Sequence, residues 1–203
     1  MNRIAWSLAV SCAVACAAGP ARAEDAKPAA DAGMDAAMAA MKERGTPGAA
    51  HQVFAPLAGA WTYTGQMWMD PKAPPEPMTG ASTNVLINEG RFLKQEITGQ
   101  IPNMPPFSGT GLLGYDNIRK EYQMVWYDNM STGIMISTGQ YDPAAKSITF
   151  KGDFSCPMTG EAHRQMRDVW TITDADHTVY ESYMSGPDGK EFKSMEIQYT
   201  RAK

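Results

Sequence analysis

The sequence predicts an all-β protein: an antiparallel, up-and-down barrel of about ten strands with a short N-terminal helix. Three observations lead there. From Gly59 onward, apolar and polar residues alternate with period two, which places successive side chains on opposite faces of a strand. The joints between the alternating segments carry turn chemistry, at Glu89-Gly90, Asp116-Asn117, Asp142-Pro143, Asp174-Ala175-Asp176 and Pro187-Asp188-Gly189. No joint has room for a crossover helix, so neighbouring strands must run antiparallel in chain order. Ten such strands laid flat would expose two edges, and closure removes both. A barrel of more than about eight strands is wide enough to hold a small ligand beside its own side chains.

The chain has 203 residues, 43% of them hydrophobic, and a net charge of −4, which suits one ordinary globular domain. A charged fraction of 20% and a pI near 5.4 leave no basic footprint for a nucleic-acid backbone, so no nucleic-acid partner is expected.

Taken in order, residues 1–23 read as a signal peptide. Arg3 supplies the positive start, Ile4 to Ala18 run without a charge, and Gly19-Pro20 precede the small residues Ala21 and Ala23. Cleavage after Ala23 leaves Glu24 as the first residue of a periplasmic or secreted protein. The run is too short to span a bilayer comfortably and no later segment is longer, so stable membrane insertion of the mature chain is not expected. Cys16 follows Ala13-Val14-Ala15, a poor context for lipidation. Loss of Arg3 and Arg22 takes the charge from −4 to −6, and loss of Cys12 and Cys16 leaves Cys156 alone, excluding an internal disulfide. In Ser155-Cys156-Pro157, with no histidine nearer than His163, this thiol reads as a small buried hydrophobe.

Residues 24–50 form a flexible Ala-rich leader. Met34, Met38 and Met41 make a single helical row around Asp35 to Arg44, ended by Gly45, Pro47 and Gly48. Residues 51–203 are the barrel domain. His51 to Leu57 forms a helical turn, and the first strand then alternates Trp61, Tyr63, Gly65, Met67 and Met69 against Thr62, Thr64 and Gln66. Further strands are expected at 80–88, 91–99, 108–115, 121–128, 133–141, 147–154, 162–173, 178–184 and 190–201.

Gly59-x-Trp61, preceded by a helical turn, resembles the opening of the calycin barrels, the group that includes lipocalins. The resemblance implies that Trp61 plugs the barrel floor and that Arg201, from the end of the last strand, lies across it in a cation–π contact. A longer pattern is more specific. It comprises Met67-Trp68-Met69-Asp70-Pro71, Gly90-Arg91-Phe92-Leu93-Lys94-Gln95-Glu96, Gly109-x-Gly111-x-x-Gly114-Tyr115-Asp116-Asn117, Trp126-Tyr127-Asp128, Asp142-Pro143 and Gly186-Pro187-Asp188-Gly189-Lys190-Glu191-Phe192. Together these resemble the bacterial family called domain of unknown function 1579, over roughly Gln52 to Arg201. The resemblance implies a calycin-like barrel and brings no biochemical activity.

Candidate ligand-binding residues follow from strand faces. Tyr122, Met124, Trp126 and Asp128 share one face of a strand, an aromatic and thioether row ending in one acid; that pattern describes a ligand pocket and an ordinary core equally well. Tyr63 and Met67 line the first strand in the same way. Arg91 and Glu96 sit at odd spacing, on opposite faces. An inward Glu96 would share the cavity with Asp128 and Arg167, as a group recognising a ligand head or as a structural ion pair.

Met67-x-Met69 raises Cu(I), but no histidine lies beside the pair and none of His51, His163 and His177 has ligand spacing, so no metal or other cofactor is expected. Gly109-x-Gly111-x-x-Gly114 runs into another strand instead of a helix N-terminus, so it reads as flexibility where a barrel strand bends, not as a dinucleotide loop. Pro77-Met78-Thr79-Gly80 and Pro157-Met158-Thr159-Gly160 read as two similar turns. No nucleophile elbow is present. The leading expectation is therefore an exported protein that binds a small apolar or amphipathic molecule inside its barrel. Two alternatives stand beside it: an enzyme using Glu96 or Asp128 as acid or base, and an interaction module presenting Trp68, Met104 and Phe107 from the loops 71–77 and 102–106. Nothing in the sequence sets the oligomeric state.

Overall fold

The structure, a computed structural model, describes residues 29–203. The expected signal peptide and the start of the leader lie outside the described residues. The chain falls into two units, one ending at Met41 and one running from Lys42 to Lys203, and the barrel belongs wholly to the second.

Helix α1, Ala29–Gly45, begins six residues before the expected Asp35. Its alanines favour helix, and Lys42 and Arg44 in the last turn complement the helix dipole. The row of Met34, Met38 and Met41 is exposed. The helical turn expected at His51 to Leu57 is two pieces: α2, Ala49–Gln52, and a 3-10 turn, Ala55–Leu57, that begins where Pro56 denies the backbone a donor.

Ten strands follow: β1 Gly59–Met67, β2 Glu76–Ile87, β3 Phe92–Gln100, β4 Phe107–Asp116, β5 Glu121–Asp128, β6 Met135–Asp142, β7 Ser147–Phe154, β8 Arg164–Ile172, β9 His177–Ser185 and β10 Glu191–Arg201. Each pairs antiparallel with its neighbours in chain order, and β1 pairs with β10 from Trp61↔Arg201 to Met67↔Met195, closing the barrel. The largest departure from expectation is β2, which starts four residues early at Glu76. Pro77 is accommodated there near the strand's first residue, where a missing donor costs least. One irregularity interrupts β10 between Lys193 and Met195, and the Ser194 carbonyl left over accepts from Trp68 N at 2.8 Å.

One end of the barrel, the floor, carries the short turns after β2, β4, β6 and β8. Asn88, Glu89, Lys120 and Lys146 there take positive φ, the conformation that tight hairpins require. Phe54 and Leu57, both fully buried, drop into this end and pack with Leu93, Leu113, Tyr122, Ile148, Phe150 and Trp170. Burying two such side chains is worth about 1.5–3 kcal/mol each. The Leu57 carbonyl accepts from Trp61 Nε1 and Asn84 Nδ2, both at 2.9 Å, and Tyr122 OH donates to the Ala50 carbonyl at 2.9 Å. Arg201 lies over the Trp61 ring, Cζ 4.2 Å from its centroid, and donates to the carbonyls of Pro56, Ala58 and Ala175. Gly59, at φ 126°, makes this possible: a Cβ there would stand 2.5 Å from Arg201 Nη1. Among the described residues no helix is long and apolar enough to cross a membrane.

Candidate functional site

Strand register assigns every residue to the lumen or the outer wall. Paired residues share a face, so the inward set runs Trp61, Tyr63, Gly65, Met67 on β1, then Gln95 and Ile97 on β3, and Tyr122, Met124, Trp126 and Asp128 on β5. On β8 it is Arg164, Met166, Asp168 and Trp170, and on β9 Thr178, Tyr180, Ser182 and Met184. The two halves of the lumen differ. Toward the floor the inward side chains are almost all buried. Toward the opposite end, the mouth, Met67, Phe107, Trp126, Asp128, Met135, Phe154, Met184 and Met195 face inward yet remain half-buried, with Met78, Ile97 and Met166 buried among them. The floor half is closely packed, whereas the mouth half, lined by thioethers and aromatic rings that pack against the buried Met78, Ile97, Ile101 and Ile197, is only half-buried.

Of the residues singled out from the sequence, Tyr63, Met67, Tyr122, Met124, Trp126 and Asp128 face the lumen. Tyr122 and Met124 belong to the packed floor, where burial, then the neighbouring phenols of Tyr115 and Tyr141, push Tyr122 up to about 12. Trp126 is half-buried at the mouth, stacked on Phe107 with centroids 6.3 Å apart, and donates from Nε1 to Asp128 at 2.9 Å. Asp128 also accepts from Met130 N, so it is already engaged.

The remaining three lie outside the lumen, and the shared cavity of Glu96, Asp128 and Arg167 does not form. Glu96 falls on the outer face of β3, exposed and paired with Lys94 at 2.7 Å. The cause is alternation: Leu93, Gln95 and Ile97 take the inner positions, so the even-numbered residues point out. Arg167, between the inward Met166 and Asp168, is likewise outside; it pairs with Glu191 at 2.5 Å and lies over the Tyr183 ring at 3.9 Å. Lys193 completes that outer network through Glu181 and Glu196. Arg91 precedes β3 and donates at the floor to the carbonyls of Gly45 and Asn88. Of the loop residues considered for partner docking, Phe107 is in β4 and turns inward, and Met104 packs beside it.

The glycines of β4 make room for a ring on the neighbouring strand. A Cβ at Gly109 would lie 2.4 Å from the Trp126 ring and one at Gly111 3.3 Å from it, so the bare strand is the seat on which the indole rests. Cys156 is buried, with Arg164 Nη1 3.5 Å from Sγ. Burial opposes its ionisation, but hydrogen bonds from Thr159 and Arg164 leave the thiol below its ordinary range. Among the described residues no group of histidine, cysteine and carboxylate side chains is arranged to hold a metal ion.

The residue that sequence reasoning missed is Asp168. It is 1% exposed, at mid-barrel, paired across to Phe150 on β7 and Ser182 on β9. Burial raises its carboxyl to about 6, against the pull of Ser182 and Tyr180 beside it and of Arg167 through the wall. Neither neighbour closes a full hydrogen bond, and both carboxylate oxygens are without a partner among the described residues, as are Tyr63 OH and Ser137 Oγ. Buried polar atoms are almost always satisfied, so a group of them inside one lumen is unusual. Deep enclosure likewise drives the Tyr180 phenol well above its ordinary range, yet its ring, edge-on to Trp170, keeps an exposed fraction. The parity of Arg167 and Asp168 was the one available signal: had Met166 and Trp170 been read as the apolar inner row, Asp168 would have followed.

A groove of about 340 Å³ on the rim is lined by Lys151, Gln165, Arg167, Ser185, Gly189 and Glu191 together with Met166.

The family model for a protein of unknown function, DUF1579, matches residues 46–201. The chain belongs to the DUF1579 family. No curated protein matches this DUF1579 chain. Among solved structures, Rv2717c from M. tuberculosis superimposes with a TM-score of 0.60 at 18% identity, covering 78% of this chain and 100% of that one. The S-type phycobiliprotein lyase CPES from Guillardia theta superimposes with a TM-score of 0.54 at 9% identity, covering 76% and 93% respectively. At these identities the likeness is one of fold alone.

Proposed function

We propose that this DUF1579 protein binds a small apolar or amphipathic molecule in the mouth half of its barrel. The observation that carries the reading is the contrast within one lumen: a floor packed by Phe54, Leu57 and their neighbours, and a mouth whose inward Met and aromatic side chains stay half-buried. Apolar walls supply affinity and a few polar groups fix orientation, the usual composition of a small-molecule site. That a barrel of similar fold is a phycobiliprotein lyase supports small-molecule binding as a use of this architecture. Titration with the neutral fluorophore N-phenyl-1-naphthylamine tests it. Saturable binding by the wild type, lost in a folded Ser182→Phe variant whose ring occupies the lumen, is expected; equal binding by both would place the probe elsewhere and defeat the proposal.

We further propose that the protein works outside the cytoplasm. Arg3, the uncharged run Ile4 to Ala18 and the small residues Ala21 and Ala23 support this. N-terminal sequencing of the protein from its own host should begin at Glu24; an intact Met1 in the mature pool would contradict it.

A further inference from the structure

Asp168 lies at mid-barrel, at the inner end of the mouth half, beside the half-buried Tyr180 and Ser182. Its two buried oxygens close no full hydrogen bond among the described residues, and the only pull on them from beside is that of the neutral Ser182 and Tyr180 hydroxyls. The only inward guanidinium on its own strand, Arg164, donates to the Ser185 carbonyl toward the mouth, and Arg167 is turned to the outer wall and held by Glu191. A carboxylate so placed is costly when ionised and unpaired. A group that brings both positive charge and N–H donors removes that cost, whereas an anion adds to it.

Resting on the reading that the lumen binds an amphipathic molecule, we infer that the ligand's polar end is a cationic nitrogen, a protonated amine or amidine, seated on Asp168 with its apolar part extending among the Met and aromatic side chains of the mouth. The lumen thereby selects against fatty carboxylates of the same length. Asp128, a second inward carboxylate of the mouth half, is not the seat, because Trp126 Nε1 and Met130 N already occupy it, and Glu76, opposite Met67 at the start of β2, is exposed at the rim.

Displacement of N-phenyl-1-naphthylamine by dodecylamine, dodecanol and dodecanoate near neutral pH tests this, the three probes sharing a chain and differing in head charge. The amine should bind at least about tenfold more tightly than either of the others. That preference should vanish in Asp168→Asn, persist in Asp128→Asn, and be accompanied by cooperative thermal unfolding of both variants. Because the comparison among the three probes is made first on the wild type, it stands even where a variant folds poorly. Equal binding of all three, tighter binding of dodecanoate, or an amine preference that survives Asp168→Asn would overturn the cationic assignment while leaving lumen binding intact. Failure of all three to displace a fluorophore that also binds Ser182→Phe would overturn both.

Discussion

At the scale of single residues, two charged side chains act on the stability of the barrel in opposite directions. Arg201 closes the floor: its guanidinium covers Trp61 and donates to three backbone carbonyls on two segments that are far apart in sequence. Hydrogen bonds from a charged donor and a cation–π contact make Arg201→Ala destabilising by about 2–4 kcal/mol in urea unfolding, with Arg201→Lys recovering only part because a single ammonium cannot reproduce the fork. Asp168 does the opposite. Burial holds its carboxyl at about 6 in the fold against its ordinary 3.8 when unfolded, so the native state holds the extra proton between these values. Stability contributed by the protonated form is complete below about pH 4 and is lost as pH rises through about 6, on the order of 3 kcal/mol in all. Asp168→Asn should therefore be more stable than the wild type at neutral pH and lack this component of the pH profile; a wild-type profile unchanged by the substitution would count against a buried, unpaired carboxylate.

At the scale of elements, β4 and β5 show how a strand without side chains positions a ring. Gly109 and Gly111 leave the floor on which Trp126 lies, and Trp126 in turn orients Asp128. Gly109→Val forces the indole off its seat, with an expected loss of about 1–3 kcal/mol and a changed near-UV dichroism. Both strands were legible in the sequence because period two survives in Tyr122, Met124, Trp126 and Asp128, whereas the reason for the glycines was not, since it lies on the neighbouring strand. Glu96 and Arg167 show the limit from the other side. Each sits one residue from an inward position, and parity alone decides whether a charge is a lumen group or a surface ion pair. Asp168 was hidden by the same ambiguity, flanked by Arg167 and Val169 in a strand whose two faces both carry a charge. Helix boundaries were the least legible: alanines extend α1 to Ala29, beyond the methionine row that marked it.

At the scale of the whole molecule, connectivity explains why the fold was readable when the site was only partly so. Ten short strands with turns too brief for crossovers admit one economical arrangement, and the β1 to β10 register completes it. What fills a closed barrel depends on which side chains meet across it, and that information is spread over strands far apart in sequence. Here Phe54 and Leu57 fill the floor, and among the described residues no helix does the same for the mouth. The most direct test of an open, ligand-accepting mouth is anomalous diffraction from crystals grown with 1-bromododecane. A bromine peak inside the barrel, among Met67, Phe107, Trp126 and Phe154, is the expected result; bromine found only on the outer wall, beside a mouth filled by its own side chains, would contradict it.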